Sequence, residues 1–186
     1  GAVVYDYQKD CALSEKYLDI SIGDFREVTR EIWGIIPRLY YYNIGTSMCY
    51  RGMGTIADSD FGIKPIKIIC EFDISEDTDK VAEFTRKNET FKNCCITKSW
   101  SNCLEFNSAD ASKGDAIDFI KDYLGDVHTT IGVGDYENDI DMLKKADKAF
   151  CPKNAVDEVK AICSYVLCDH DEGAVADMID IIRTFR

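Results

Sequence analysis

The residues best suited to chemistry lie in one stretch, Thr130-Ile131-Gly132-Val133-Gly134-Asp135-Tyr136-Glu137-Asn138-Asp139-Ile140-Asp141-Met142-Leu143. A short apolar run ends in Gly134-Asp135, and a helical pattern begins two or three residues later. In a parallel α/β sheet this puts Asp135 at the carboxyl end of a strand, where ligands bind. Asn138 and Asp139 then fall on the first helical turn, facing the same crevice. Two carboxylates and an amide so close together suit a hard, oxygen-preferring cation such as Mg²⁺, commonly held by one or two carboxylates plus a substrate phosphate. Asp135 and Asn138 read equally well as caps of the helix that follows, since Asp and Asn are favoured there. Gly132-Val133-Gly134 is no dinucleotide loop, because the third glycine is absent and an acid stands near the phosphate position. Ser112-Lys113-Gly114 opens the preceding helix. Its lysine is either a point charge for phosphate or a solvated helix residue.

The elements around these residues alternate. From Lys113 apolar positions repeat with helical period (Ala116, Ile117, Ile120, Tyr123, Leu124), and a strand follows at Thr129 to Val133. Helical pattern returns around Ile140 and Leu143. Further strands are expected at Lys148 to Cys151 and Ser164 to Cys168, with helices at Asn154 to Ile162 and Gly173 to Ile182. Short apolar strands interleaved with helices imply a parallel sheet covered on both faces. Residues 1–108 are more mixed. Val3 to Tyr7 and Ile66 to Phe72 read as strands, and Asp24 to Ile35 and Thr78 to Lys87 as helices, the latter with Val81 and Phe84. Cys94 to Phe106 reads as two strands broken at Ser101-Asn102. This order suggests a separate small α+β domain, bounded near Asn107 to Ser112 where Asn, Ser, Ala and Asp cluster. No internal repeat is visible.

The chain has 186 residues, 46% of them hydrophobic and 30% charged, a globular composition. The net charge is −12, with −8 falling on residues 109–186, which argues against nucleic acid or an anionic membrane as partner. No apolar run reaches the ~18 residues of a spanning helix. Nine cysteines without a CxxC, and no signal-like start, fit a reduced cytoplasmic protein. His128 and His170 have no cysteine at metal-ligand spacing, so zinc is not expected.

Ser112-Lys113-Gly114, the Gly134-Asp135-Tyr136-Glu137-Asn138-Asp139 segment, Lys153-Asn154-Ala155 and Asp171-Glu172-Gly173-Ala174-Val175 follow one another in the order and spacing of the haloacid dehalogenase superfamily. The pattern resembles the Cof-type phosphatases. The resemblance implies an α/β fold, the C-terminal part of a Rossmann-like core (residues 109–186) with an α+β cap (13–108) and a core-to-cap connection (1–12). It implies that Asp135 and Asp139 hold and support Mg²⁺, and that Asn138 meets phosphate or metal-bound water. Lys113 would stabilise the nucleophile and the transferred phosphoryl group, and Asn154 would lie near the phosphate pocket, though an N-cap role fits Asn154 equally. The substrate would be a small phosphorylated metabolite. In the family a carboxylate attacks phosphorus, and a second aspartate two residues later protonates the leaving group and then activates water. Mg²⁺ and lysine neutralise charge, since phosphoryl transfer rests mainly on positioning and electrostatics.

The family's DxDGT nucleophile motif has no counterpart before the cap-like region. Asp58-Ser59-Asp60-Phe61-Gly62 imitates its letters without an apolar strand to hold it, and Asp73 follows a strand but lacks the second acid. The family's second motif, a Ser or Thr closing another strand, is missing too. Gly1 to Asp6 resembles the point where a Cof-type chain turns into its cap. The chain therefore reads as a family member that starts late and is inert alone, with an exposed sheet edge open to self-association. The alternative is a non-catalytic binding module, with Tyr40, Tyr41, Tyr42, Tyr50, Met48 and Met53 as a sticky surface.

Overall fold

A computed structural model describes residues 18–21, 25, 38–43, 46–52 and 65–185, those from 38 to 52 by their backbone. The strand expected at Val3 to Tyr7, most of the helix at Asp24 to Ile35, Met53, Asp58 and Asp60 lie outside the described residues.

Five strands form an antiparallel sheet: β1 (Arg38–Asn43), β2 (Thr46–Gly52), β3 (Lys67–Glu71), β4 (Cys94–Trp100) and β5 (Cys103–Ser108), in the order β2-β1-β3-β5-β4. The aromatic stretch around Tyr40 to Tyr50 becomes the β1–β2 pair, with Tyr40 opposite Tyr50. Along β3 burial alternates, Ile68 and Cys70 inside, as the period of two in a pleated strand requires. Helix α1 (Ser75–Lys87) covers this sheet. Its buried face is Thr78, Val81, Ala82 and Thr85, at the i, i+3, i+4, i+7 spacing of one helical side. Phe84, an expected apolar position, is exposed instead. Thr85 takes the inward place because its hydroxyl donates to the Val81 carbonyl at 2.7 Å and so arrives satisfied. Phe25, Phe91 and Phe106 centre the core, with Phe25 edge-on to both other rings at 5.9 and 5.0 Å.

The second sheet is parallel, in the order β6-β7-β8: β6 (Ile131–Val133), β7 (Lys148–Pro152) and β8 (Tyr165–Leu167). Its helices are α2 (Lys113–Leu124), α3 (Ile140–Lys145), α4 (Asp157–Lys160) and α5 (Ala174–Ile182). Alternation along β7 shows how both faces are covered. Ala149 and Cys151 pack with Leu143, Ala155 and Val159 on one side. Phe150 packs with Leu167, Ala174, Met178 and Ile181 on the other, stacking on Tyr165 at 4.5 Å.

Two elements differ from the sequence pattern. The helix expected over Asn154 to Ile162 shrinks to Asp157–Lys160, because backbone groups before it are taken by other loops. The Val156 amide donates to the Asp135 carbonyl at 3.0 Å, and Ala155 turns back to Pro152. Helix α2 forms where expected, but Phe119, Ile120, Tyr123 and Leu124 remain exposed. It meets α3 instead through Gly114, where an added Cβ would come within 2.1 Å of Asp141 Oδ2, and through charged side chains.

Candidate functional site

Strand β6 delivers the chain to the site. Gly134 continues its pairing with β7, donating to the Phe150 carbonyl at 3.3 Å, and Asp135 follows at the strand's carboxyl end. A 3₁₀ turn over Glu137–Asp139 then leads into α3. Gly134 has no room for a side chain, since a Cβ there would lie 2.3 Å from Asp139 Cβ. That close approach folds Asp139 back under the loop. Asp139 Oδ2 accepts from the Asp135 amide at 3.0 Å and, more weakly, from the Tyr136 amide at 3.5 Å. Its Oδ1 lies 2.5 Å from Lys113 Nζ. Asp139 is buried, at 5% exposure, so both oxygens of this carboxylate are satisfied within the protein. Asp135 is exposed.

Lys113 comes from the other side, as the first residue of α2. Ser112 caps that helix. Its hydroxyl accepts from the Asp115 amide at 3.0 Å while the Asp115 carboxylate accepts from the Ser112 amide at 3.0 Å, a capping box. The box is locked to α3, because Lys145 Nζ pairs with Asp115 and Asp118 at 2.9 Å each and the Ser112 hydroxyl lies 2.5 Å from Asp141 Oδ2. Lys145 foremost, then the Ser112 amide and hydroxyl, pull the Asp115 carboxyl down to about 2. Lys145 is pushed up in return by Asp115 and Asp118. The start of α2 is thus tied to both ends of α3, at Asp141 and at Lys145, with Lys113 held over Asp139.

Four of the five expected residues therefore share one short region. Asp135, Asn138 and Asp139 lie on the β6–α3 segment, and Lys113 reaches it from α2. The capping alternative does not hold for Asp135 or Asn138, since Tyr136 precedes the 3₁₀ turn and Asp139 precedes α3. Asn154 caps neither α4 nor the Asp135 loop. Its Oδ1 accepts from the His170 amide at 3.1 Å, tying the loop after β7 to the turn after β8. Asp73 follows β3 beside Phe72, which exchanges hydrogen bonds with Asn102 in the β4–β5 turn. It precedes the start of α1, whereas Arg86 near the far end of that helix, about 16 Å along it, pairs with Glu137.

The β6–α3 segment offers oxygen ligands by residue type, the exposed Asp135 carboxylate and the Asn138 amide, beside the buried Asp139 carboxylate that fixes the Asp135 amide. That chemistry fits Mg²⁺, which takes few protein oxygens and keeps waters. Among the described residues Asp169, His170 and Asp171 bring their ligand atoms within 4.8 Å of one another, a group apart from the Asp135 loop. Asp169 Oδ1 is already engaged there by His170 Nδ1 at 2.9 Å in a solvent-facing 3₁₀ turn. Spacing gave no hint of the Arg86–Glu137 pair or of the Lys145 clamp. Their partners are brought together by tertiary folding, Arg86 and Glu137 across 51 positions.

A parallel sheet with an acidic loop at its strand ends and a lysine poised on a buried aspartate defines an α/β protein with a Rossmann-like core. The chain belongs to the haloacid dehalogenase-like hydrolase family, whose model matches residues 54–179. It is 30% identical over 135 residues to the 5-amino-6-(5-phospho-D-ribitylamino)uracil phosphatase YwtE of Bacillus subtilis, covering 64% of this chain and 46% of that protein. The structure of a haloacid dehalogenase-like hydrolase from B. subtilis superposes with a TM-score of 0.60 at 26% identity, over 69% of this chain and 45% of that one. SMU.1108c from Streptococcus mutans shares the fold, with a TM-score of 0.71 at 18% identity over 87% of this chain and 66% of that one. The chain spans about half the length, or less, of the curated relatives it matches. Among the described residues no helix is long and apolar enough to cross a membrane.

Proposed function

We propose that this chain carries the lysine, the metal-supporting acids and the cap of a Mg²⁺-dependent phosphatase acting on a small phosphate ester. One observation carries the reading: Lys113 Nζ and the Asp135 amide grip opposite oxygens of the same buried carboxylate, Asp139. Asp139 thereby sets both the cation that faces phosphate and the exposed acid beside it. Residues 13–108 serve as the cap, 1–12 as its connection and 109–186 as the core part. Phosphatase names among the relatives support the reaction class, and the ribityl phosphate in one name supports a phosphorylated metabolite as substrate.

Asp135 would hold Mg²⁺ directly, Asp139 would support it and Asn138 would meet phosphate or a bound water. When bound, the ion supplies charge neutralisation at the transferring phosphoryl oxygens. Lys113 adds a fixed positive charge half-exposed to the crevice, oriented by Asp139 before substrate arrives, which is the kind of preorganisation phosphoryl transfer depends on. Asn154 would lie near the phosphate pocket: its Oδ1 accepts from the His170 amide, and it stands two residues before Val156, whose amide donates to the Asp135 carbonyl. No paired-aspartate nucleophile stands beside Lys113 among the described residues, so we propose that the chain alone turns over little substrate. Self-association through the exposed sheet edge is part of this proposal, with a dimer in sedimentation as the expected result and a monomer against it.

The test is Mg²⁺-dependent phosphate release from p-nitrophenyl phosphate, with EDTA and Asp135→Ala controls, beside a Mg²⁺ titration followed at the Asp135 and Asn138 amides. Mg²⁺ binding that Asp135→Ala abolishes, without turnover, is the expected result. Turnover lost with EDTA and with Asp135→Ala would put the nucleophile in this chain, and Asp58, Asp60 and Asp73 would be the groups to replace. Absence of Mg²⁺ binding would overturn the metal site.

A further inference from the structure

The Asp135–Asp139 loop is gripped from a second direction. Arg86, in the last turn of α1, donates from Nε and Nη2 to the Ile96 carbonyl at 3.3 and 3.2 Å. Its Nη2 also pairs with Glu137 Oε1. Ile96 is in β4, and Glu137 is the first residue of the 3₁₀ turn that ends at Asp139. One guanidinium therefore joins a helix, a strand and the loop that presents the candidate metal acids. The neighbourhood is acidic, as Cys95 on β4 records: burial pushes its thiol up, Asp141, Asp115 and Glu137 push it further, and Arg86 opposes them. The planar fork makes the double contact possible, whereas a lysine ammonium is a point charge on a flexible stem.

We propose that Arg86 is a positioning residue that acts through Glu137, fixing the turn from which Asp139 reaches the Asp135 amide and Lys113. The link is partly exposed, with 42% of the Arg86 and 31% of the Glu137 side chain accessible, so it adds little to global stability. It acts on loop order instead. Its consequence for metal binding rests on the functional reading above, but its effect on the loop does not.

The test is amide hydrogen exchange on the full chain without metal, for Arg86→Met, Arg86→Lys, Glu137→Gln and the Arg86→Met/Glu137→Gln pair, with thermal melting in parallel. The Asp135 amide reports on Asp139 directly, because it donates to that carboxylate. Three- to tenfold faster exchange at Asp135 and Asp139 is expected in each methionine or glutamine variant, with partial protection kept by Arg86→Lys. The double variant should exchange no faster than the faster single one, with melting nearly unchanged. Unchanged exchange in Glu137→Gln, or effects that multiply in the double variant, would overturn the proposal. Should Arg86→Met fail to fold, Glu137→Gln decides alone, because it leaves the Arg86–Ile96 contacts in place. Mg²⁺ alone is then titrated into the same samples. A several-fold weaker affinity in Arg86→Met and Glu137→Gln supports the proposal, and equal affinity overturns it. A wild-type chain that binds no Mg²⁺ overturns the functional reading, and the exchange result then decides the positioning role by itself.

Discussion

Lys113 Nζ sits 2.5 Å from Asp139 Oδ1 across 26 positions of sequence, and the other oxygen of that carboxylate accepts the Asp135 amide. A single buried side chain thus couples the start of one helix to the end of a strand. The coupling is unsymmetrical in burial, since half of the lysine side chain is accessible and only 8% of the aspartate. Removing the two partners should therefore have unequal effects.

Asp139→Asn keeps the shape but replaces one oxygen by a donor, which must face either the Asp135 amide or the Lys113 ammonium. One buried contact is lost whichever way the amide turns, a cost of roughly 1–3 kcal/mol. Lys113→Met instead leaves the buried Asp139 carboxylate ionised with Oδ1 unpaired, and should cost more, roughly 3–5 kcal/mol. Urea denaturation of the two variants checks the order. Equal losses would mean that the burial of Asp139 does not govern the pair.

Gly134→Ala tests the close approach that folds Asp139 under the loop. The added methyl would stand 2.3 Å from Asp139 Cβ and 2.6 Å from its Cγ, and these atoms cannot swing aside without releasing the Asp135 amide. Overpacking of this kind costs typically about 1–3 kcal/mol. The Asp135 amide should lose its exchange protection at the same time. Destabilisation with that protection intact would show that the strain relaxes elsewhere.

The alternation of strand and helix after Lys113 was legible because the hydrophobic period switches between about two and 3.6 at each element, and Gly134-Asp135 marks a strand end by composition. The presence of Asp135, Asn138 and Asp139 on one loop followed from spacing. The approach of Lys113 did not, since it depends on how α2 packs against α3 through Gly114 and Lys145. Nor did the choice of Thr85 over Phe84 for the inner face of α1, which a hydroxyl-to-carbonyl bond decides against hydrophobicity. The short α4 was also invisible, because the Val156 amide and the Asn154 side chain bind other loops rather than a helix.

Acid should loosen the α2–α3 corner in a defined window. The Asp115 carboxyl is held at about 2 by Lys145 and Ser112, against 3.8 for a free aspartate. A depressed native value means that the ionised form stabilises the fold. Its contribution is complete above about pH 5 and fades as the pH falls from there toward 2. Melting temperatures of the wild type and Asp115→Asn should differ by a constant amount above that window and converge within it. A difference that persists unchanged at pH 2 would remove Asp115 from the acid response.

Two threonines on the same face of α1 make opposite predictions. Thr78 and Thr85 are both fully buried, seven positions apart, but the Thr85 hydroxyl donates to Val81 whereas Thr78 Oγ1 finds no hydrogen-bond partner among the described residues. A buried hydroxyl without a partner costs free energy that an apolar group of the same shape does not. Thr78→Val should therefore stabilise the chain by about 1 kcal/mol, raising Tm by roughly 2–4 °C for a chain of this size. Thr85→Val removes a made bond and should be neutral or destabilising by up to about 1 kcal/mol. Calorimetry of the two variants separates hydroxyl satisfaction from side-chain shape, because the substitution, the helix and the burial are the same in both. A loss of stability in Thr78→Val would mean that its hydroxyl is bonded after all, by a buried water between α1 and the sheet.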